Sequence, residues 1–159
     1  MLNKKEAGGG ALMNLGVHLL DLVRYLSGDL KFKDAILSNS MHGLEELEDF
    51  AHVMLKGGKD SIAAIEVTYR LSRSNKAKVH AHVITSLGSL TLDHETVMRL
   101  VNHEGYETTF EIGPPKGYEE YAQDTLKRFK KGEFPIASAD DLLSVWQVLD
   151  EIYAHAHWI

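Results

Sequence analysis

Residues 8–29, GGGALMNLGVHLLDLVRYLSGD, decide how the rest of the chain is read. Gly8-Gly9-Gly10 leads into a run whose apolar residues recur at helical spacing, and Gly28 stands where a helix C-cap is expected. The pattern predicts a helix over 10–27. At about 100° per residue, Leu12, Leu15, Leu19, Leu22 and Leu26 share one stripe, the mark of a helix packed on a core. Asn14, His18, Asp21 and Tyr25 gather on a second arc about 100° away. The helix thus carries a leucine face and a separate polar face. A histidine takes and returns a proton near neutral pH, and Asn14 and Asp21, one turn to either side, are placed to orient its ring. A histidine satisfied by its neighbours, with no role in chemistry, has the same spacing.

Downstream the grammar changes to strands. Residues 34–42, 49–56, 61–70, 76–85, 90–93, 97–102 and 108–112 are short and partly alternating, with 57–60 (Gly-Gly-Lys-Asp) as a hairpin turn. No helix intervenes, so the sheet should be mostly antiparallel. Helices over 118–131 and from Ser138 close the chain, the second with Asp140 and Asp141 in its first turn and Leu142, Val145, Leu149 and Ile152 as its buried stripe. The fold class is α+β: one domain over 1–159, an open, mostly antiparallel sheet of six or more strands with helices on one face. Mixed residues such as Ala63, Thr68, Thr91 and Val101 on the other face point to self-association, as a dimer or higher oligomer.

Composition narrows the function classes. The chain has 159 residues, a formal net charge of −6 and no cysteine. An acidic chain lacks the basic footprint of a nucleic-acid or anionic-membrane binder. Without cysteine there is no disulfide, thiolate metal site or thiol nucleophile. No stretch approaches the roughly 20 apolar residues of a membrane span, and the first residues lack a secretion signal, so a cytoplasmic location is expected. His80 and His82 share one strand face, but no third metal ligand joins them, and no metal site is expected. His155 and His157 read as decoration of a helix end, Lys127–Lys131 as a solvated last turn, and Tyr118 and Tyr121 as packing residues. Arg70, Arg73 and Lys76 flank a turn.

Gly8 to Asp21 resembles the G-G-G-x-L-x-[D/N]-x-G-x-H-x-x-D signature of the Gfo/Idh/MocA oxidoreductases. The resemblance continues through Asp21-Leu22-Val23-Arg24-Tyr25-Leu26-Ser27-Gly28, Glu48-Asp49-Phe50-Ala51, Ser86-Leu87-Gly88-Ser89-Leu90 and the segment from Phe134 to Asp141. It implies the substrate-side α+β domain of an enzyme that moves a hydride between NAD or NADP and a carbinol carbon of a sugar or polyol. On that resemblance His18 is the proton-transfer residue and Asn14 stands at the place of a usual aspartate. Asp21 is a weaker candidate for substrate contact. Asparagine brings no charge to hold an imidazolium. No G-x-G-x-x-G follows a strand, so the nucleotide-binding domain is expected to be absent, and this chain alone should hold no cofactor tightly and be inactive. The alternative is a non-catalytic dimerising or ligand-binding module derived from that family.

Overall fold

A computed structural model describes residues 8–40, 47–69, 80–93, 97–111 and 117–159. In chain order, a π-helical turn (Leu12–Gly16) runs into α1 (Val17–Ser27), followed by β1 (Lys31–Ser38), β2 (Phe50–Lys56), a 3-10 turn (Gly58–Asp60) and β3 (Ile62–Thr68). Then come β4 (His80–Thr85), β5 (Gly88–Asp93), β6 (Val97–Asn102), β7 (Glu107–Glu111), α2 (Gly117–Lys131), α3 (Ala139–His155) and β8 (His157–Trp158). The α+β class holds. The chain divides into two units, one formed by residues 1–71 with 136–159 and one by 72–135. Among the described residues the strands form two mostly antiparallel four-stranded sheets. Residues 70–79, which include Arg70, Arg73 and Lys76, lie outside the described set.

In the first unit the sheet order is β3-β2-β1-β8. The first three strands pair antiparallel, with Ala35 opposite Val53 and Val53 opposite Ile65. Period-2 alternation sends Ala35, Leu37, Ala51, Val53, Leu55, Ile65 and Val67 inward, and the helices α1 and α3 cover that face. Ala63, expected on the outer face, is in phase with Ile65 and packs against the core. The outer row of this sheet instead runs through Ile36, His52 and Glu66, all at least partly solvent-exposed. The two-residue strand β8, which no sequence period announces, lies parallel to β1, and the Ile159 amide donates to the Leu37 carbonyl at 3.0 Å. His157 is therefore a strand residue, 3.6 Å from Asp34, and not part of a helix end.

The helix faces also differ from the simple wheel. Leu12 and Leu20 are fully buried, while Leu15, Leu22 and Leu26 of the expected leucine stripe are 39%, 38% and 57% exposed. The π-helical turn, with its wider winding, shifts the phase of the residues before 17 against those after it, so no single wheel spans the helix. The buried line becomes Leu12, Gly16 and Leu20, with Val17, Leu19 and Val23 at its flanks. Gly16 belongs on this line because a Cβ there would run into the Leu12 side chain at 2.6 Å. On α3 the stripe is Val145, Val148, Leu149 and Ile152, and Leu142 lies outside it at 55% exposed. Each fully buried leucine or isoleucine stabilises the fold by about 1.5–3 kcal/mol relative to exposure.

The start of α3 forms as its sequence requires. Ser138 is the N-cap, its hydroxyl accepting the Asp141 amide at 3.2 Å while the Asp141 carboxylate accepts the Ser138 amide at 2.7 Å. The second unit, taken by itself, is the antiparallel meander β4-β5-β6-β7 and the helix α2.

Candidate functional site

The glycine tract is explained by what it touches. The amides of Gly10, Ala11 and Leu12 all turn to Glu48, which lies just before β2. Gly10 donates to both carboxylate oxygens (2.9 and 3.0 Å), Leu12 to Oε1 (2.9 Å) and Ala11 to the Glu48 carbonyl (2.9 Å). The Tyr153 hydroxyl of α3 donates to the same Oε1 at 2.8 Å. Glu48 is fully buried, and its charge is balanced by these donors and by the positive end of the helix dipole. Burial, then the neighbouring Glu48 charge and the hydrogen bond to it, push the Tyr153 phenol well above its usual range. Gly10 must lack a side chain because a Cβ would collide with the Glu48 backbone, its carbonyl carbon standing at 2.8 Å.

One and two turns on, α1 presents its chemistry. His18 is exposed and, with Asp21, Leu22, Arg24, Tyr25, Ile136 and Ala137, lines a cavity of about 240 Å³. Among the described residues none lies within hydrogen-bonding distance of its ring. Asp21, expected to orient that ring, is turned to Arg24 instead, its Oδ1 accepting from Nε at 3.3 Å and from the terminal guanidinium nitrogen at 3.1 Å. Arg24 also reaches Asp141 at the start of α3 at 2.7 Å, so one guanidinium ties the two helices together. The Ser138 amide and hydroxyl, and secondarily Arg24, hold the Asp141 carboxyl below the usual carboxylate range. Asn14 sits in the π-helical turn, exposed, and is not among the cavity residues. The structure therefore brings His18 and Asp21 to one cavity with Arg24 and Tyr25, and leaves Asn14 out of its lining.

The sequence pattern by itself gives Arg24 and Glu48 no role. Arg24 is legible there only as a charge at i+3 from Asp21. Glu48 stands within the family-like Glu48-Asp49 pair, and no local pattern relates it to a helix 36 or 38 residues earlier. The remaining candidates disperse. His80 and His82 are exposed on β4, and no metal-binding group of three ligands occurs among the described residues. Tyr118 and Tyr121, expected to pack, are 96% and 48% exposed. No helix of the described residues is long and apolar enough to cross a membrane.

Comparison with protein families matches residues 1–91 to the GFO/IDH/MocA C-terminal domain. The chain belongs to that family. The comparison with curated proteins gave no match. Among solved structures, a protein from Erwinia carotovora atroseptica SCRI1043 superposes with a TM-score of 0.81 at 19% identity, over 99% of this chain and 50% of its own. A 3-ketoreductase from Actinomadura kijaniata, in complex with TDP-benzene and NADP, gives 0.75 at 17% identity, over 99% and 51%. An aldose-aldose oxidoreductase from Caulobacter crescentus, complexed with glycerol, gives 0.76 at 25% identity, over 96% and 47%. This GFO/IDH/MocA domain thus spans about half the length of the structures it matches.

Proposed function

We propose that this GFO/IDH/MocA domain is the substrate-side half of an NAD(P)-dependent oxidoreductase acting at a carbinol carbon of a sugar or polyol. The observation that carries the reading is His18, solvent-reachable on a cavity that also holds a carboxylate, a guanidinium and an exposed tyrosine. Such a cavity suits a polyhydroxylated ligand: Asp21 accepts from hydroxyls and the Tyr25 ring covers the apolar face of a sugar. The aldose-aldose oxidoreductase, at 25% identity, supports that substrate class. His18 exchanges a proton with the reacting hydroxyl, Asp21 contacts substrate, and Asn14 lends a neutral amide beside the histidine.

The glycine tract does not fit a dinucleotide. The Gly10 and Leu12 amides that would face a phosphate are already taken by Glu48. On this reading the nicotinamide cofactor, which supplies hydride chemistry when bound, is held by a domain other than this one. The exposed outer face of the first sheet, with Ile36 and Met54 at 37% and 42% exposure and Ile62 at 79%, supports a further role in self-association. Light scattering at micromolar concentration should then give at least twice the 17.8 kDa chain mass.

The test of the catalytic reading is His18→Asn in the full-length protein. Losing a positioned general acid-base group lowers kcat by about 10²–10⁴-fold with ligand binding retained. Unchanged turnover would refute the role given to His18, and a parent protein with no turnover would leave the non-catalytic ligand-binding module as the reading.

A further inference from the structure

We infer that Glu48, held by Tyr153, is a positioning residue for His18: it sets where the site helix begins and how its π-helical turn is wound. The inference rests on the reading of His18 as the proton-transfer residue. A buried carboxylate is costly unless hydrogen bonds replace its water, and no cation pairs with Glu48 among the described residues. Here three donors do so: two backbone amides of the helix start and one phenol from α3. The carbonyl of the same residue takes the intervening Ala11 amide. Three consecutive amides thus end on one residue, which fixes both the height of the first turn and its rotation about the helix axis. The far side of Gly10 is fixed as well, its carbonyl accepting from the Tyr69 hydroxyl at 3.3 Å and the Asn14 amide at 3.1 Å.

The consequence reaches the site through the winding. Between Leu12 and Gly16 the chain follows the wider π path, and Val17 closes it by donating to the Leu12 carbonyl. The Leu12 amide is held by Glu48 and its carbonyl opens the π turn, so the carboxylate acts at the residue from which the turn is measured. His18 follows directly. A one-residue rewinding to α-helical pitch would rotate the first turn against α1, and Asn14 would change its bearing to His18. Glu48 does not line the cavity, and its carboxylate bonds go to Gly10, Leu12 and Tyr153, so its path to His18 runs through the helix backbone.

The test is made on this chain by amide exchange and histidine-ring NMR, with Glu48→Gln as the variant of nearly equal shape. The glutamine side chain replaces one acceptor oxygen with a donor amide that meets the Gly10 N–H. The expected result is exchange at Gly10 and Leu12 faster by about tenfold, with shifted His18 ring and Asn14 side-chain signals. The amides of Val53 and Ile65 at the sheet centre should keep their protection. Faster exchange at every amide alike would overturn the inference, because Glu48 would then serve stability alone. Loosened Gly10 and Leu12 with an unmoved His18 would overturn it too. If Glu48→Gln does not fold, Tyr153→Phe keeps the carboxylate and removes one donor. It must show the same local pattern in smaller measure, and a uniform or absent response refutes the proposal. None of these readouts requires turnover, so they fail separately from the catalytic reading, which His18→Asn in the full-length protein tests.

Discussion

Gly10→Ala isolates the contact on which the site helix rests. The added methyl has no side chain to push aside, because its nearest neighbours are Glu48 backbone atoms, with the carbonyl carbon at 2.8 Å and the nitrogen at 2.9 Å. Either the helix start or the segment before β2 must move. Overpacking against rigid neighbours costs about 1–3 kcal/mol, and losing a charge-assisted hydrogen bond from Gly10 or Leu12 to the carboxylate costs about 1.5–3 kcal/mol. Together this is roughly 3–5 kcal/mol, or about 10 °C in Tm for a chain of this size. The assay is urea unfolding followed by tryptophan fluorescence. Both tryptophans, Trp146 and Trp158, lie in the unit that contains Gly10, so the signal reports that unit. Gly117→Ala, where nothing lies within 4 Å of a Cβ, is the control; it belongs to the other unit, so its unfolding is followed by far-ultraviolet circular dichroism, which reports the whole chain. A loss below about 1 kcal/mol in Gly10→Ala, or an equal loss in the control, would refute the steric argument.

Other expectations follow from the same geometry. Ser138→Ala removes the N-cap of α3 and should lower stability by about 1 kcal/mol in the same urea assay. Because Asp141 is held below its unfolded value of 3.8, its contribution is present above about pH 4 and fades as pH falls through the folded value. Stability measured from pH 6 to pH 2.5 should therefore fall less steeply in Asp141→Asn than in the parent. Tyr153 has the opposite sign. Its folded value is raised, so its contribution is complete below about pH 10 and is lost above it, and ultraviolet titration should find it un-ionised until the chain unfolds. Leu149→Ala, at a fully buried position, should cost about 2–5 kcal/mol by denaturant midpoint.

The sequence is most legible where one local rule governs a segment. Alternation in 61–70 places Ile65 and Val67 inside and Glu66 outside, as found, and Ser138 with Asp141 spells out the start of α3. Strand 97–102 and the end of α2 at Lys131 come out at the residues read. Legibility fails where distant segments decide. A uniform 100° wheel cannot represent the π-helical turn, which breaks its phase between Leu15 and the residues of α1, and the stripe it draws through Leu22 and Leu26 is exposed in the structure. Spacing makes Asp21 the partner of His18, yet Arg24, itself drawn toward Asp141 from 117 positions along the chain, claims it instead. Strand β8 has two residues, too few for any period to show. Glu48 needs the tertiary fold before its carboxylate has anything to hold.

The first unit is discontinuous in the chain: β1, β2, β3 and the site helix come from residues 1–71, and α3 and β8 from 136–159. During synthesis at roughly 5–20 residues per second, Leu20, Leu37 and Leu55 must wait several seconds for Leu149 and Ile152 to emerge. In that interval the carboxylate of Glu48 lacks its tyrosine, and three strands present an apolar face that only α1 can cover. The intervening unit, whose four strands are neighbours in sequence, pairs only local segments and need not wait. A nascent chain of this protein therefore carries a time-limited sticky surface, and its exposure to chaperones and to aggregation is set by the length of the inserted segment.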